Sequence, residues 1–342
     1  MAAATGLAPP APPHGIAHSR REGTSSWPLI DRLGYWACWA TGIALALIAA
    51  WIVIFMLIKG LSYFRLSLLT ESPAPSSQQS KSGGFLDPIE GTLIITVLGT
   101  LIAGPLGVAL AVWLNEYGRP RWLARTFESA VEIIAGVPSV VLAIFGLLIF
   151  SQSYLAFLSQ QASNGSVYGR SFFATGIVMS VLALPLVVGS TREALTQLPA
   201  RLREASYGLG KTRATTIRHV LLPSIRPGIA TGVVLGMGRI IGDTAIIRIL
   251  LGVSLTTQPV GHTPVSGLLR GTGSTLTSYV YENSPAGEGS APQKAYFAAF
   301  VLLLMVLALN ALVTWITMRT EPTGERRGPR AWLARGFSGL GR

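Results

Sequence analysis

Arg239 and Asp243 stand four residues apart in an otherwise largely apolar run, IATGVVLGMGRIIGDTAIIRILLG, from Ile229 to Gly252. On a helix that spacing stacks them about one turn apart, roughly 6 Å along the axis. A lone charge at the centre of a bilayer costs at least ~2.5–3.5 kcal/mol, and a pair lowers that cost for both members. Two roles fit. The pair either clamps one span onto another, or it serves a passing solute. In the second case the planar donor fork of Arg239 receives an anion, and Asp243 restrains the guanidinium between passages. Ionisable groups inside membranes usually serve transport, which favours the second role. Arg248 lies nearer the end of the run, where a long side chain can also simply snorkel to the interface.

The segment just before this run is basic, with seven Lys/Arg and two Glu between Arg192 and Arg226. Leu195, Leu198, Leu202 and Leu209 line one face of short helices, with Arg201, Arg203 and Lys211 on the polar side. Gly208 and Gly210 permit a sharp turn between two helices, and Pro223 and Pro227 end the second. Such a segment either lies on lipid headgroups or docks a partner. Within it, Ala205 to Thr212 (ASYGLGKT) comes one residue short of a phosphate-binding P-loop. A P-loop must follow a buried strand and open a helix. Here the preceding residues are polar and helical in pattern, and none of the three Asp (Asp31, Asp87, Asp243) follows an apolar strand that would place it on Mg²⁺. Nucleotide chemistry is therefore not expected of this chain. His14, His18, His219 and His262 have no metal-ligand spacing. The single Cys38 reads as a small core hydrophobe and allows no intramolecular disulfide. No metal and no other cofactor is expected.

The elements that must position these residues are membrane spans. The chain is 50% hydrophobic and only 12% charged, about half the charge of a typical soluble domain. Its apolar runs are continuous rather than alternating, which excludes a β-barrel. They fall at about 35–58, 92–114, 131–150, 172–188, 229–251 and 295–318, and they approach or reach the roughly 20 residues that cross a bilayer. The first is too long for a signal-peptide core and reads as an uncleaved span. The expected fold is thus an all-α polytopic membrane protein with six transmembrane helices. A mostly disordered tail covers residues 1–34, the six-span domain 35–320 with its basic loop at 191–227, and a basic tail 321–342. Alternate loops and tails carry nineteen Lys/Arg on one side and six on the other, which places both termini in the cytoplasm. Topology and contact with anionic lipid account for the net charge of +12, so nucleic acid is not an expected partner.

Smaller signals refine this picture. Glu128 and Glu132 suit the positive dipole end at the start of the third span. Gly228, Gly232 and Gly236 form a small-residue stripe that lets another helix approach closely. Pro105, Pro138 and Pro185 are placed to bend the second, third and fourth spans.

The basic loop also carries a spaced pattern: Glu204-Ala205-Ser206, then Gly210, then Val220, Leu222 and Pro223. This resembles the EAA loop of ABC-importer permeases, with Ser206 for the second Ala and Val220 for Ile. GTLIITVLGTLIAGPLGVALAVWLNEYG from Gly91, Gly136-Val137-Pro138-Ser139 and Arg239-Ile-Ile-Gly242-Asp243-Thr244 narrow the resemblance to phosphate-importer permeases of the PstA/PstC type, over about residues 90–320. Asn115-Glu116-Tyr117 and Leu202 to Ser206 look more like PstA. Asp243 stands where that family usually has Glu, and Arg248 is unusual for it.

The resemblance implies a type I importer permease in the inner or plasma membrane that does not itself hydrolyse ATP. Glu204, Ala205, Ser206, Gly210, Leu222 and Pro223 would couple it to a cytosolic ABC ATPase dimer. Arg239, Asp243 and Thr244 would line the path of inorganic phosphate. The implied partners are a sister permease, forming a heterodimer, and an extracytoplasmic phosphate-binding protein. The rival substrates are other oxyanions such as sulfate or molybdate. A stand-alone secondary transporter is the rival from another class, but such a carrier has no reason to keep the EAA spacing.

Overall fold

A computed structural model of the chain describes residues 28–73, 83–159, 168–252, 254, 256–257, 264–285, 287 and 291–319. Most of the expected N-terminal tail (1–27) and the whole C-terminal tail (321–342) lie outside them. The described residues are largely helical, with α-helices numbered in chain order from α1 to α14, of which α2 (Leu66–Thr70) and α12 (Pro264–Arg270) are short, and the β-pairing among them is one isolated bridge between Pro73 and Gly83. The chain divides into two compact units, residues 1–55 and 56–342.

The described part of the first unit belongs to α1 (Leu29–Leu61). Its side chains up to Phe55 are exposed, apart from a half-buried Arg32. A helix apolar all round and unburied suits lipid. Cys38 is exposed on this helix, so the expectation of a core position for it is corrected. Tyr35 meets Trp36 and Trp39 edge to face near the start of the helix, where aromatic rings favour the membrane interface.

The second unit is organised around α6 (Phe172–Thr196). Ser171 starts it, its hydroxyl accepting the Ala174 N–H at 2.9 Å. α3 (Leu86–Val112) and α10 (Arg226–Gly242) pack on α6 and on each other. Helices in lipid gain little from apolar burial and much from close approach. The glycines supply that approach. Gly228, Gly232 and Gly236 of α10 lie against Ala194, Ser190, Val187 and Ala183 of α6, and Ser190 Oγ donates to the Gly228 carbonyl at 2.8 Å. The stripe is therefore used within the chain.

Among the described residues, four helices are long and apolar enough to cross a membrane: α1, α3 with its continuation to Tyr117, α6, and α14 (Pro292–Arg319). Two more crossings follow if each of two bent pairs counts as one. α4 (Arg121–Gly136) meets α5 (Ser139–Phe150) at 109°. The cause is Pro138, which has no N–H and holds Val137 extended (φ −73°, ψ 130°). The other pair, residues 213–224 and α10, bends by 69°. Pro105 and Pro185, by contrast, sit inside continuous helices.

The expectation for Glu128 and Glu132 needs correction. Both lie in the body of α4, beyond its first turn, so the helix dipole does not explain them. Glu128 instead pairs with Arg192 of α6 at 2.5 Å.

Three apolar clusters fix these elements. Phe172, Met179, Ile240, Ile246 and Leu250 centre the first. Phe85, Leu276, Tyr279 and Phe297 form the second. Leu195, Ile217, Leu221 and Ile225 form a third beneath the basic segment.

Candidate functional site

Arg239 lies in the last turn of α10 and is exposed. It takes no part in the ion pairs that join Arg192 to Glu128, Arg203 to Glu116 and Arg248 to Glu282. Nor does its side chain hydrogen-bond a described residue. No ion pair joins it to Asp243, which follows the last residue of α10, Gly242. Asp243 is extended (φ −85°, ψ 119°) and buried, and its Oδ1 accepts the Ile246 N–H at 2.9 Å. That bond satisfies one of the free amides at the start of α11 (Ala245–Leu250). Thr244, half-buried, completes the break between the two helices. The site thus consists of a cation without an ion partner among the described residues, on an exposed helix face, and a carboxylate held one residue past the helix end.

α13 (Leu276–Asn283) fastens this break from outside. Thr277 Oγ1 donates to the Ile241 carbonyl at 2.7 Å, capping an acceptor that the end of α10 leaves free. Arg248 of α11 does not snorkel: it pairs with Glu282 and lies over the Tyr281 ring, 5.5 Å from its centroid. The far side of α13 is tied to α3, where Thr92 Oγ1 accepts the Leu276 N–H at 2.9 Å. Tyr279 is fully buried beside Phe85, and burial pushes its phenol up to about 12. Sequence reasoning does not find Thr277 and Glu282. An i,i+5 Thr and Glu on a short helix carry no signal until that helix is laid beside residue 241.

The basic segment folds as a series of short helices. α7 (Ala200–Gly208) ends in a Schellman turn. The Lys211 N–H returns to the Ser206 carbonyl and the Gly210 N–H to that of Tyr207, with Gly210 at φ +75°. That left-handed conformation is why glycine occupies the position. The chain continues through α8 (Arg213–Thr216), a π turn at Ile217–Leu221 and α9 (Leu222–Ser224) into α10. Of the six residues expected to couple, Glu204, Ala205 and Gly210 are exposed. Ser206 is buried, its Oγ 2.8 Å from Thr216 Oγ1, and joins α7 to α8. Leu222 and Pro223 are half-buried and line a groove of about 660 Å³ with Leu101, Pro105, Arg218 and Val233.

Two groups are therefore assembled, one at the α10–α11 break and one at α7, and the length of α10 separates them. Neither brings together a nucleophile and a base, and no cluster of metal-ligating side chains occurs among the described residues. The arrangement suits binding and movement.

Comparison with known proteins agrees. Residues 103–322 match the family model described as "binding-protein-dependent transport system inner membrane component". The chain is 33% identical over 291 residues to the probable ABC transporter permease protein YqgH of Bacillus subtilis (strain 168), covering 82% of this chain and 89% of that protein. It is 33% identical over 248 residues to the phosphate transport system permease protein PstA 1 of Mycobacterium tuberculosis (strain H37Rv), covering 72% and 73%. Among solved structures, a bacterial alginate ABC transporter shares the fold at a TM-score of 0.55, with 19% identity over 86% of this chain and 97% of that one. The MetNI methionine ABC transporter does so at 0.53, with 18% identity over 69% and 96%. With so much of its length matched, the chain belongs to the family of binding-protein-dependent inner-membrane components, as an integral-membrane permease subunit of an ABC importer.

Proposed function

We propose that this permease imports inorganic phosphate. The observation that carries the reading is Arg239, a guanidinium without an ion partner among the described residues, on an exposed face of α10 inside an apolar run. A charge left so is costly in lipid, and a tetrahedral oxyanion accepting two of its N–H groups offsets that cost. The naming of PstA 1 as a phosphate permease supports phosphate among the oxyanions. Thr244 supplies a hydroxyl beside the same path. In the present conformation Asp243 is engaged by the Ile246 amide. Its restraint of Arg239 then belongs to another stage of the cycle.

On this reading both termini are cytoplasmic, and a cytosolic ATPase dimer docks on the exposed face of α7 at Glu204, Ala205 and Gly210. A sister permease completes the path as a heterodimer, and an extracytoplasmic phosphate-binding protein delivers the solute. ATP-driven closure of the ATPases moves α7, and the spans alternate between outward and inward access.

The test is uptake of labelled phosphate and labelled sulfate by phosphate-starved cells with and without this chain. Loss of phosphate uptake with sulfate spared supports the reading. Loss of sulfate uptake with phosphate spared overturns the substrate and leaves an importer of another oxyanion. Glu204→Lys or Gly210→Asp should weaken co-purification of the ATPase. Solute movement by the purified chain without an ATPase would point to a secondary transporter instead.

A further inference from the structure

Glu116 and Arg203 are 87 residues apart in sequence and meet at the root of α7. Arg203 donates to Glu116 Oε1 through Nε at 3.1 Å and Nη2 at 2.9 Å. The same Nη2 donates to the Leu195 carbonyl in the last turn of α6 at 3.1 Å. Asn115 Nδ2 also donates to Glu116 Oε1, at 2.9 Å. The Glu116 side chain is only 7% exposed and that of Arg203 22%. One residue on, the Tyr117 ring receives the Arg213 guanidinium of α8 at 5.5 Å. Residues 115–117 lie in a π turn, Trp113–Tyr117, that continues α3 without a break. Insertions of this kind in long helices often mark functional places.

A partly buried ion pair of this kind adds little net stability, since desolvation offsets much of its attraction. It does supply a directional link that resists both pushing and pulling. We propose that Arg203–Glu116 is the strut that passes movement of α7 to α3, which makes both positioning residues for transport. α3 suits the part. It is a single rod from Leu86 to Tyr117. Midway, Gly99 lies against Ile240, the residue next to Arg239, and nearer its start Thr92 holds the Leu276 amide of α13. A shift at Glu116 therefore reaches both the α10–α11 break and the helix that fastens it. The proposal rests on the ATPase docking at α7, and its test keeps the two apart.

The experiment uses the assembled transporter with its ATPase in lipid nanodiscs, carrying Cys38→Ser. A single environment-sensitive fluorophore is placed on a cysteine at Leu209 beside α7, or at Leu101 on α3; both positions are exposed. ATP should change the emission at both sites. With Glu116→Gln, or with Arg203→Lys if the former does not accumulate, the Leu209 response should persist and the Leu101 response should fall roughly tenfold, a usual size for coupling between sites. The swap of Arg203→Glu with Glu116→Arg should restore it. In proteoliposomes the single variants should retain the ATPase subunit and ATP hydrolysis while solute moved per ATP falls. An undiminished Leu101 response in the single variants, or one the swap leaves lost, overturns the strut. So does a wild type in which Leu209 responds and Leu101 does not. If neither site responds in wild type, the docking of the ATPase at α7 fails and the strut falls with it.

Discussion

Asp243 Oδ1 accepts the backbone N–H of Ile246 at 2.9 Å, and the charge four residues earlier, Arg239, makes no ion pair with it. This bond makes Asp243 a cap for α11. Asp243→Asn keeps an acceptor and should leave thermal stability of the solubilised complex nearly unchanged. Asp243→Ala should cost about 1 kcal/mol, a drop in Tm of about 2–4 °C. Equal losses in the two variants would assign the effect to charge and not to the cap.

The glycine stripe sets the distance between α10 and α6. A Cβ on Gly232 would lie 3.1 Å from Ser190 Cβ and from Val187 Cα, and one of those atoms is backbone. Gly232→Leu should therefore cost at least ~1–3 kcal/mol through overpacking and lower the amount of folded permease in the membrane. A Cβ on Gly238 would meet nothing within 4 Å, so Gly238→Ala should leave that amount at the wild-type level. Quantitative immunoblots of membrane fractions with a thermal shift on each variant decide between packing and a general intolerance of change on α10.

Tyr279 gives a pH test of the α13 packing. Its hydroxyl is buried without a hydrogen-bond partner among the described residues, and burial raises its pKa from 10.0 to about 12. Below pH 10 the phenol is neutral folded or unfolded and the contribution of its packing is complete. Between about pH 10 and 12 the unfolded chain ionises first, so stability falls as pH rises. Tyr279→Phe should remove that alkaline decline and, having no hydrogen bond to lose, should be neutral or slightly stabilising near pH 7. A marked loss of stability at pH 7 would mean that the hydroxyl has a partner in the assembled transporter.

Part of this architecture is legible in the sequence. Long apolar runs mark α1, α3, α6 and α14, because an all-round apolar helix has one solvent that suits it. Gly208 and Gly210 mark the turn after α7, since a left-handed residue at a helix end asks for glycine. Hydrophobicity alone hides the break at Asp243 within one apolar run, although Gly242-Asp243-Thr244 holds a helix-ending glycine followed by two residues that favour helix starts. It also merges the end of α4 with α5 as a single span, the third, and only Pro138 signals the bend between them. The charges of α4 at 121, 125, 128 and 132 recur at helical spacing and mark a polar face that a lipid-crossing helix would not carry. Arg203–Glu116, Arg248–Glu282 and Thr277–Ile241 join residues 34 to 87 positions apart. No local rule of spacing reaches them, because the packing of other helices brings them together.

The most direct measurement is uptake of labelled phosphate by Arg239→Ala and Arg239→Lys permeases at equal membrane abundance, beside wild type. Loss of a charge-assisted contact of ~1.5–3 kcal/mol should lower uptake by Arg239→Ala roughly tenfold to a hundredfold. Arg239→Lys should fall between, keeping the charge without the planar fork. Wild-type uptake by Arg239→Ala would contradict the account and leave Arg239 outside the path of the anion.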